Sequence, residues 1–256
     1  MGGLARKAWP PALALVVLVA AWDLAANAAH ASLSLPGPWL VARASWADRA
    51  DLSSAMWTTT QEALLGIALA IASAVALAIL IDWSRTARRT LYPLMILSQT
   101  IPLIALAPLV VIWFGFGQAP KVALVALFTF FAISVGMIQG LDSADVDTMN
   151  LLRTMGASRA QILWRVRLPS ALPQFFTGLK IGVTFSYVAA IFAEYVGAYG
   201  GLGYYMSVAS HAFNTDLVFG AMILTAVLTL ILFALVTALE RVVIRWRPRA
   251  QLDASW

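Results

Sequence analysis

The sequence predicts an all-α integral membrane protein with six transmembrane helices, and three observations carry that reading. Hydrophobic residues make up 61% of the chain and charged residues 11%, with a mean hydropathy of +0.84, whereas soluble domains are about 45–50% apolar. A soluble chain of this size needs a polar shell, and 17 Lys and Arg with 12 Asp and Glu cannot supply one. The apolar residues also fall into six runs close to the roughly 20 residues that cross a bilayer, with basic clusters between them. The principal solvent is lipid.

The runs cover residues 11–29, 57–81, 91–113, 119–140, 176–199 and 217–240. In the first, Arg6-Lys7, the apolar run and Ala26-Asn27-Ala28 also fit a cleavable signal peptide; its length favours a retained anchor. The second carries Gly66, Ala70, Ala74 and Ala78 at four-residue spacing. That stripe suits close approach of another helix, or reflects an alanine-rich composition. Pro102 and Pro108 interrupt the third run, and broken backbone at membrane depth often borders a pathway. Between the fourth and fifth lies the one long polar stretch, 141–175, with Asp142, Asp145, Asp147, Arg153, Arg159, Arg165 and Arg167. It is expected outside the membrane.

Orientation follows from the excess of Lys and Arg on cytoplasmic loops. With the N-terminus inside, that side receives Arg6, Lys7, Arg85, Arg88, Arg89, the four loop arginines, and Arg241, Arg245, Arg247 and Arg249. The other side receives Arg43, Arg49 and Lys121, while Lys180 falls just inside the fifth run. Both termini and the loop are therefore expected in the cytoplasm.

Several function classes drop out. The chain has no cysteine, which removes disulfides, thiolate metal sites and cysteine nucleophiles. No H-E-x-x-H or G-x-S-x-G occurs, and His30 and His211 are the only histidines. No catalytic residue and no metal ligand is assigned, and the chain is not read as an enzyme. The net charge of +5 sits in short clusters between apolar runs, which speaks for topology and against nucleic acid. Polar residues inside the runs are few. Among them Gln99 and Thr100, just before Pro102, and Tyr187 and Glu194 in the fifth run are candidates for a solute path. Interhelical hydrogen bonding is the alternative role for the same groups.

The loop is the most informative stretch. Residues 147–155 suit a short helix that Gly156 ends with a positive φ, a second helix is expected over 158–167, and Pro169 is expected to stop it. Two short helices with basic and apolar faces form a knob for another protein's groove. The stretch resembles the cytoplasmic loop of permease subunits of ATP-binding-cassette importers, which reads E-A-A-x3-G-x9-I-x-L-P. Gly156 takes the glycine and Val166-x-Leu168-Pro169 takes I-x-L-P, while Asn150-Leu151-Leu152 replaces E-A-A. That departure removes the acidic residue, for which Asp147 one turn earlier is the nearest substitute. Residues 101–117 and 193–203 are similar to the branch that handles nitrate, sulfonates, taurine and thiamine precursors.

The resemblance implies the type I importer (MetI-like) permease fold with cytoplasmic coupling helices, in the bacterial cytoplasmic (inner) membrane. It implies as partners a cytoplasmic ATPase dimer, a second permease copy, expected to be identical, and an extracytoplasmic solute-binding protein. No cofactor is expected on this chain; ATP and magnesium belong to the ATPase, in keeping with the absence of G-x-x-x-x-G-K-[ST] here. Gly156, Leu168 and Pro169 carry over by match as coupling residues, and Arg153, Ala157, Ser158 and Arg159 complete the segment. Segments 30–56 and 200–216 could receive the binding protein, or serve as interfacial helices with aromatic anchors. An anionic solute would favour deep Lys or Arg, whereas Glu194, Tyr187, Tyr195 and Tyr199 suit a neutral or cationic planar ring. A thiamine-pyrimidine or related vitamin precursor is the expected solute, with a sulfonate, taurine or nitrate as alternative. An autonomous ion-coupled carrier is the rival outside the family, and it needs no docking knob.

Overall fold

A computed structural model describes residues 2–28, 35–98 and 100–246. Among these residues the chain is helical with no strand. In order come α1 (Gly2–Ala28), α2 (Pro38–Ala47), α3 (Arg49–Trp83), α4 (Arg85–Ser98), α5 (Leu103–Phe114) and α6 (Gln118–Asp142). There follow α7 (Val146–Thr154), α8 (Arg159–Ile162), a π-helical turn (Leu163–Arg167), α9 (Leu168–Gly197), α10 (Leu202–His211) and α11 (Thr215–Val243).

Among the described residues four helical stretches are long and apolar enough to cross a membrane: α3, α6, α11 and the continuous run Arg159–Gly197. The first predicted span survives as the shorter apolar stretch Leu13–Ala28, its last residue, Ala29, lying outside the described residues. The third is divided. α4 ends at Ser98, and α5 restarts after Pro102, which occupies its N-cap at φ −68 and ψ 129. Proline ends a helix because it lacks the N–H and biases its predecessor towards extended backbone. Pro108 sits inside α5, so only one of the two expected interruptions occurs.

The core is built on α3, α6 and α9. Half of the most apolar window of α6 and of the Arg159–Gly197 run is buried, against 6% for α11, whose outer face is suited to lipid or a partner. Gly66, Ala70, Ala74 and Ala78 are all buried, and a Cβ on Gly66 would meet Val125 and the backbone of Ala126. The stripe does bring α3 onto α6. The α6–α9 crossing is closer still and uses glycines from both helices, Gly136 and Gly140 against Gly178 and Gly182. A Cβ on Gly136 would lie 2.5 Å from the Gln174 carbonyl, and one on Gly140 2.6 Å from that of Ala171. Two G-x-x-x-G pairs thus let bare backbones touch.

Pro169 does not stop the loop's second helix. α8 passes through the π-helical turn directly into α9, with Pro169 in the first turn of α9 and Pro173 inside it. The π turn re-registers the chain, as when the Leu168 N–H reaches back to the Leu163 carbonyl. The loop is therefore continuous with the fifth span.

Candidate functional site

The end of the molecule that carries the loop is assembled by local capping. Asp145 caps α7, its carboxylate accepting from the Thr148 N–H at 3.0 Å and from the Thr148 hydroxyl. These bonds hold the Asp145 carboxyl below its ordinary value. α7 then ends in a Schellman turn. Gly156 has φ +85, its N–H donates to the Arg153 carbonyl at 3.0 Å, and the Ala157 N–H donates to the Leu152 carbonyl at 2.9 Å. Ser158 caps α8 in a reciprocal box with Gln161. Arg153, Gly156, Ala157, Ser158 and Arg159 therefore share one turn, with both arginines exposed. Leu168 and Pro169 lie elsewhere, half-buried at the foot of α9.

The tip also shows large apolar side chains to solvent, Leu151 at 62%, Met155 at 73% and Trp164 at 68% exposure. Exposed apolar groups beside arginines are a composition suited to protein contact. The knob is tied to the membrane helices through Arg167. Its guanidinium pairs with Asp82 at the end of α3 and donates to the Leu141 carbonyl at the end of α6, from Nη2 at 3.0 Å and from Nε at 3.2 Å. Asp142 beside it pairs with Arg88 of α4. These contacts tie the knob to α3 and α6 and, through Asp142, to α4.

A groove of about 480 Å³ runs between α6 and α9. The glycine crossing forms its floor, since Gly136 and Gly178 both line it. Its walls are Phe128, Phe131, Phe185 and Ile181, with Gln139, Gln174 and Thr177 as the polar groups and no charged side chain.

Of the residues expected on the solute path, Thr100, Tyr187 and Glu194 sit outside that groove. Gln99 lies outside the described residues. Thr100 is exposed in the break before α5, its hydroxyl donating to the Leu97 carbonyl at 2.8 Å. Tyr187 is buried, its hydroxyl 3.4 Å from Thr60 Oγ1 of α3. Glu194 is fully buried; it accepts from Thr59 Oγ1 at 2.8 Å and from the Gly203 N–H at 2.7 Å. Thr59 in turn accepts the Leu202 N–H at 2.7 Å. Tyr187 and Glu194 thus hold α9 to α3, and Glu194 also holds the start of α10.

Two charges pair between helices, one of them in surroundings other than expected. Lys121, counted on the outer side at the start of the fourth run, is buried in the first turn of α6 and paired with Glu62 of α3. Lys180 pairs with Glu240 of α11 at 3.1 Å. The signal for Glu62–Lys121 is visible only as an acid and a base near the same predicted membrane level. The signal for the groove, G-x-x-x-G in both the fourth and fifth spans, is explicit in the sequence but is missed when only the second span is searched for small residues.

The sequence pattern of the family described as "Binding-protein-dependent transport system inner membrane component" matches residues 63–246. The formylaminopyrimidine transport permease protein of Halalkalibacterium halodurans is 35% identical over 248 residues, covering 95% of this chain and 98% of that protein. The taurine transport system permease protein of Escherichia coli K12 is 31% identical, covering 92% of this chain and 88% of the relative. Among solved structures, an inward-facing form of the MetNI methionine ABC transporter superposes with a TM-score of 0.66 at 20% identity. It covers 82% of this chain and 99% of that one.

Proposed function

Because the chain belongs to the family of binding-protein-dependent transport inner membrane components, we propose that it forms half of the translocation path for a neutral planar ring, an aminopyrimidine of the thiamine-precursor type. As a permease subunit of an ATP-binding-cassette importer it is a multi-pass membrane protein and not an enzyme. Binding-protein-dependent import implies a solute-binding protein and an ATPase as partners.

The observation that carries the solute reading is the lining of the α6–α9 groove. Three phenylalanines offer ring faces, and two side-chain amides and a hydroxyl offer hydrogen bonds, with no cation among them. Aromatic rings stack on such faces, and amides can pair with ring nitrogens and exocyclic amines. A sulfonate or nitrate would call for Arg, Lys or helix N-termini. The formylaminopyrimidine relative supports the same reading; the taurine relative supports the sulfonate as the second one.

Two copies face each other and close the path, both termini and the knob lie in the cytoplasm, and ATP with its magnesium is bound by the ATPase dimer. Closure of that dimer moves the turn Arg153–Arg159. The π turn and Arg167 pass the movement to α9, α3 and α6, and the groove between them changes access from one side of the membrane to the other. Uptake into proteoliposomes holding permease, ATPase and binding protein tests the solute. ATP-driven accumulation of labelled formylaminopyrimidine is expected, reduced about fivefold to thirtyfold by Gln174→Leu, which removes roughly one to two hydrogen bonds of about 1 kcal/mol each. Accumulation of taurine and not of the pyrimidine overturns the assignment.

A further inference from the structure

Glu62 and Glu194 are both buried, at 1% and 0% exposure, and their carboxyl groups lie within hydrogen-bonding reach of each other. One oxygen of Glu62, Oε1, is taken by Lys121. The other, Oε2, is buried with no donor, a rare state for a buried acceptor. Glu194 receives Thr59 Oγ1 and the Gly203 N–H, and the α9–α10 turn is moulded around it. Gly201 has φ +98, and a Cβ there would overlap the Glu194 carboxylate.

Charge is unbalanced if both acids are ionised. α3 contributes Thr59 and Glu62, α6 contributes Lys121, and α10 contributes the Gly203 N–H. Of the titratable groups on α10, Tyr204 is 40% exposed, Tyr205 donates to Asp48, and His211 is engaged with the Ser207 carbonyl. α5 meets α9 at Gly197 through Val111, which is uncharged. Lys180, with Glu240 of α11 as its partner, lies about 21 Å away along α9. Two carboxylates would therefore face one ammonium in a buried site, and an uncompensated buried charge is costly.

We infer that Glu62 and Glu194 form a proton-binding site, in which Glu194 carries the proton and donates it to Glu62 Oε2. One proton supplies the missing donor and brings the cluster with Lys121 to zero net charge. Among the described residues no group of three or more His, Cys, Asp or Glu side chains could hold a metal ion. The neutral cluster is a latch that pins the start of α10 to α3 and α9. Raising the pH removes the proton, sets two carboxylates against one lysine, and loosens the latch. The inference is independent of which solute is carried.

Infrared difference spectra of the assembled transporter in lipid nanodiscs, taken between neutral and alkaline pH, test it. A protonated-carboxyl C=O band is expected at neutral pH and lost on alkalinisation. Glu194→Gln abolishes the band, and so does Glu62→Gln, because Lys121 then neutralises an ionised Glu194. The thermal midpoint of the wild type falls on the alkaline side. Glu194→Gln, whose amide can donate to Glu62 and accept from Gly203, shows no such fall. Absence of the band in the wild type, or an equal alkaline fall in Glu194→Gln, overturns the inference. A midpoint that follows sodium concentration at fixed pH also overturns it, since a cation would then be the occupant.

Discussion

Gly156 joins a special backbone conformation to open surroundings. Its φ of +85 lies in the left-handed region, yet nothing comes within 4 Å of a Cβ placed there. A side chain at this position therefore meets strain and no collision, about 1–2 kcal/mol, confined to the turn between α7 and α8. Gly156→Leu should leave insertion and the thermal midpoint of the membrane core nearly unchanged. ATP-driven uptake and co-purification of the ATPase should fall together, because the turn displays the docking face. Unchanged uptake and co-purification in that variant would remove Gly156 from the coupling role. Glu62 and Lys121 show the converse situation, in which conformation is ordinary and surroundings decide everything. Nothing in the local sequence marks them as partners. The pair exists because α3 and α6 cross, and the bond of Glu194 to Thr59 spans 135 positions of chain.

At the level of elements, the crossing of α6 and α9 determines both stability and the groove. Gly136 and Gly178 permit contact so close that added methyl groups would press on the Gln174 and Ala132 carbonyls. Gly136→Leu should lower stability by about 1–3 kcal/mol and also obstruct the groove. Gly117→Ala, with nothing within 4 Å and an ordinary φ of −71, should do neither. Thermal unfolding in detergent and uptake in the same preparations separate the two. The long spans are legible because an apolar run of bilayer length is seldom stable except as a helix in lipid; 57–81, 119–140 and 217–240 all fall within single helices. Gly156 is legible for a similar reason, since a glycine closing an amphipathic turn has one common use. Pro169 misleads because proline is read locally as a stop. Only the π turn before it, set by how α8 meets α9, shows that the helix continues. Similarly, the polar residues Tyr187 and Glu194 suggest a path. The partners they find on α3 arise from packing that no window of sequence contains.

For the whole molecule, the described residues set the proposed docking end apart from the groove and join the two by polar contacts. The knob offers Leu151, Met155 and Trp164 beside Arg153 and Arg159. Arg167 fastens it to Asp82 and to the end of α6, and the glycine crossing of α6 with α9 carries the uncharged groove. In the proposed mechanism these contacts link motion at the knob to access to the groove. The proposed orientation places this end in the cytoplasm with the ATPase and the α9–α10 turn on the opposite side. Because the chain has no native cysteine, single cysteines report contacts without background. The most direct measurement is cross-linking to a cysteine-bearing ATPase in membranes, comparing Ala157→Cys at the knob with Tyr199→Cys, whose side chain is 82% exposed beyond the far end of α9. A permease–ATPase adduct from Ala157→Cys and none from Tyr199→Cys is the predicted result; an adduct only from Tyr199→Cys, or none from Ala157→Cys in an ATPase-bound transporter, contradicts it.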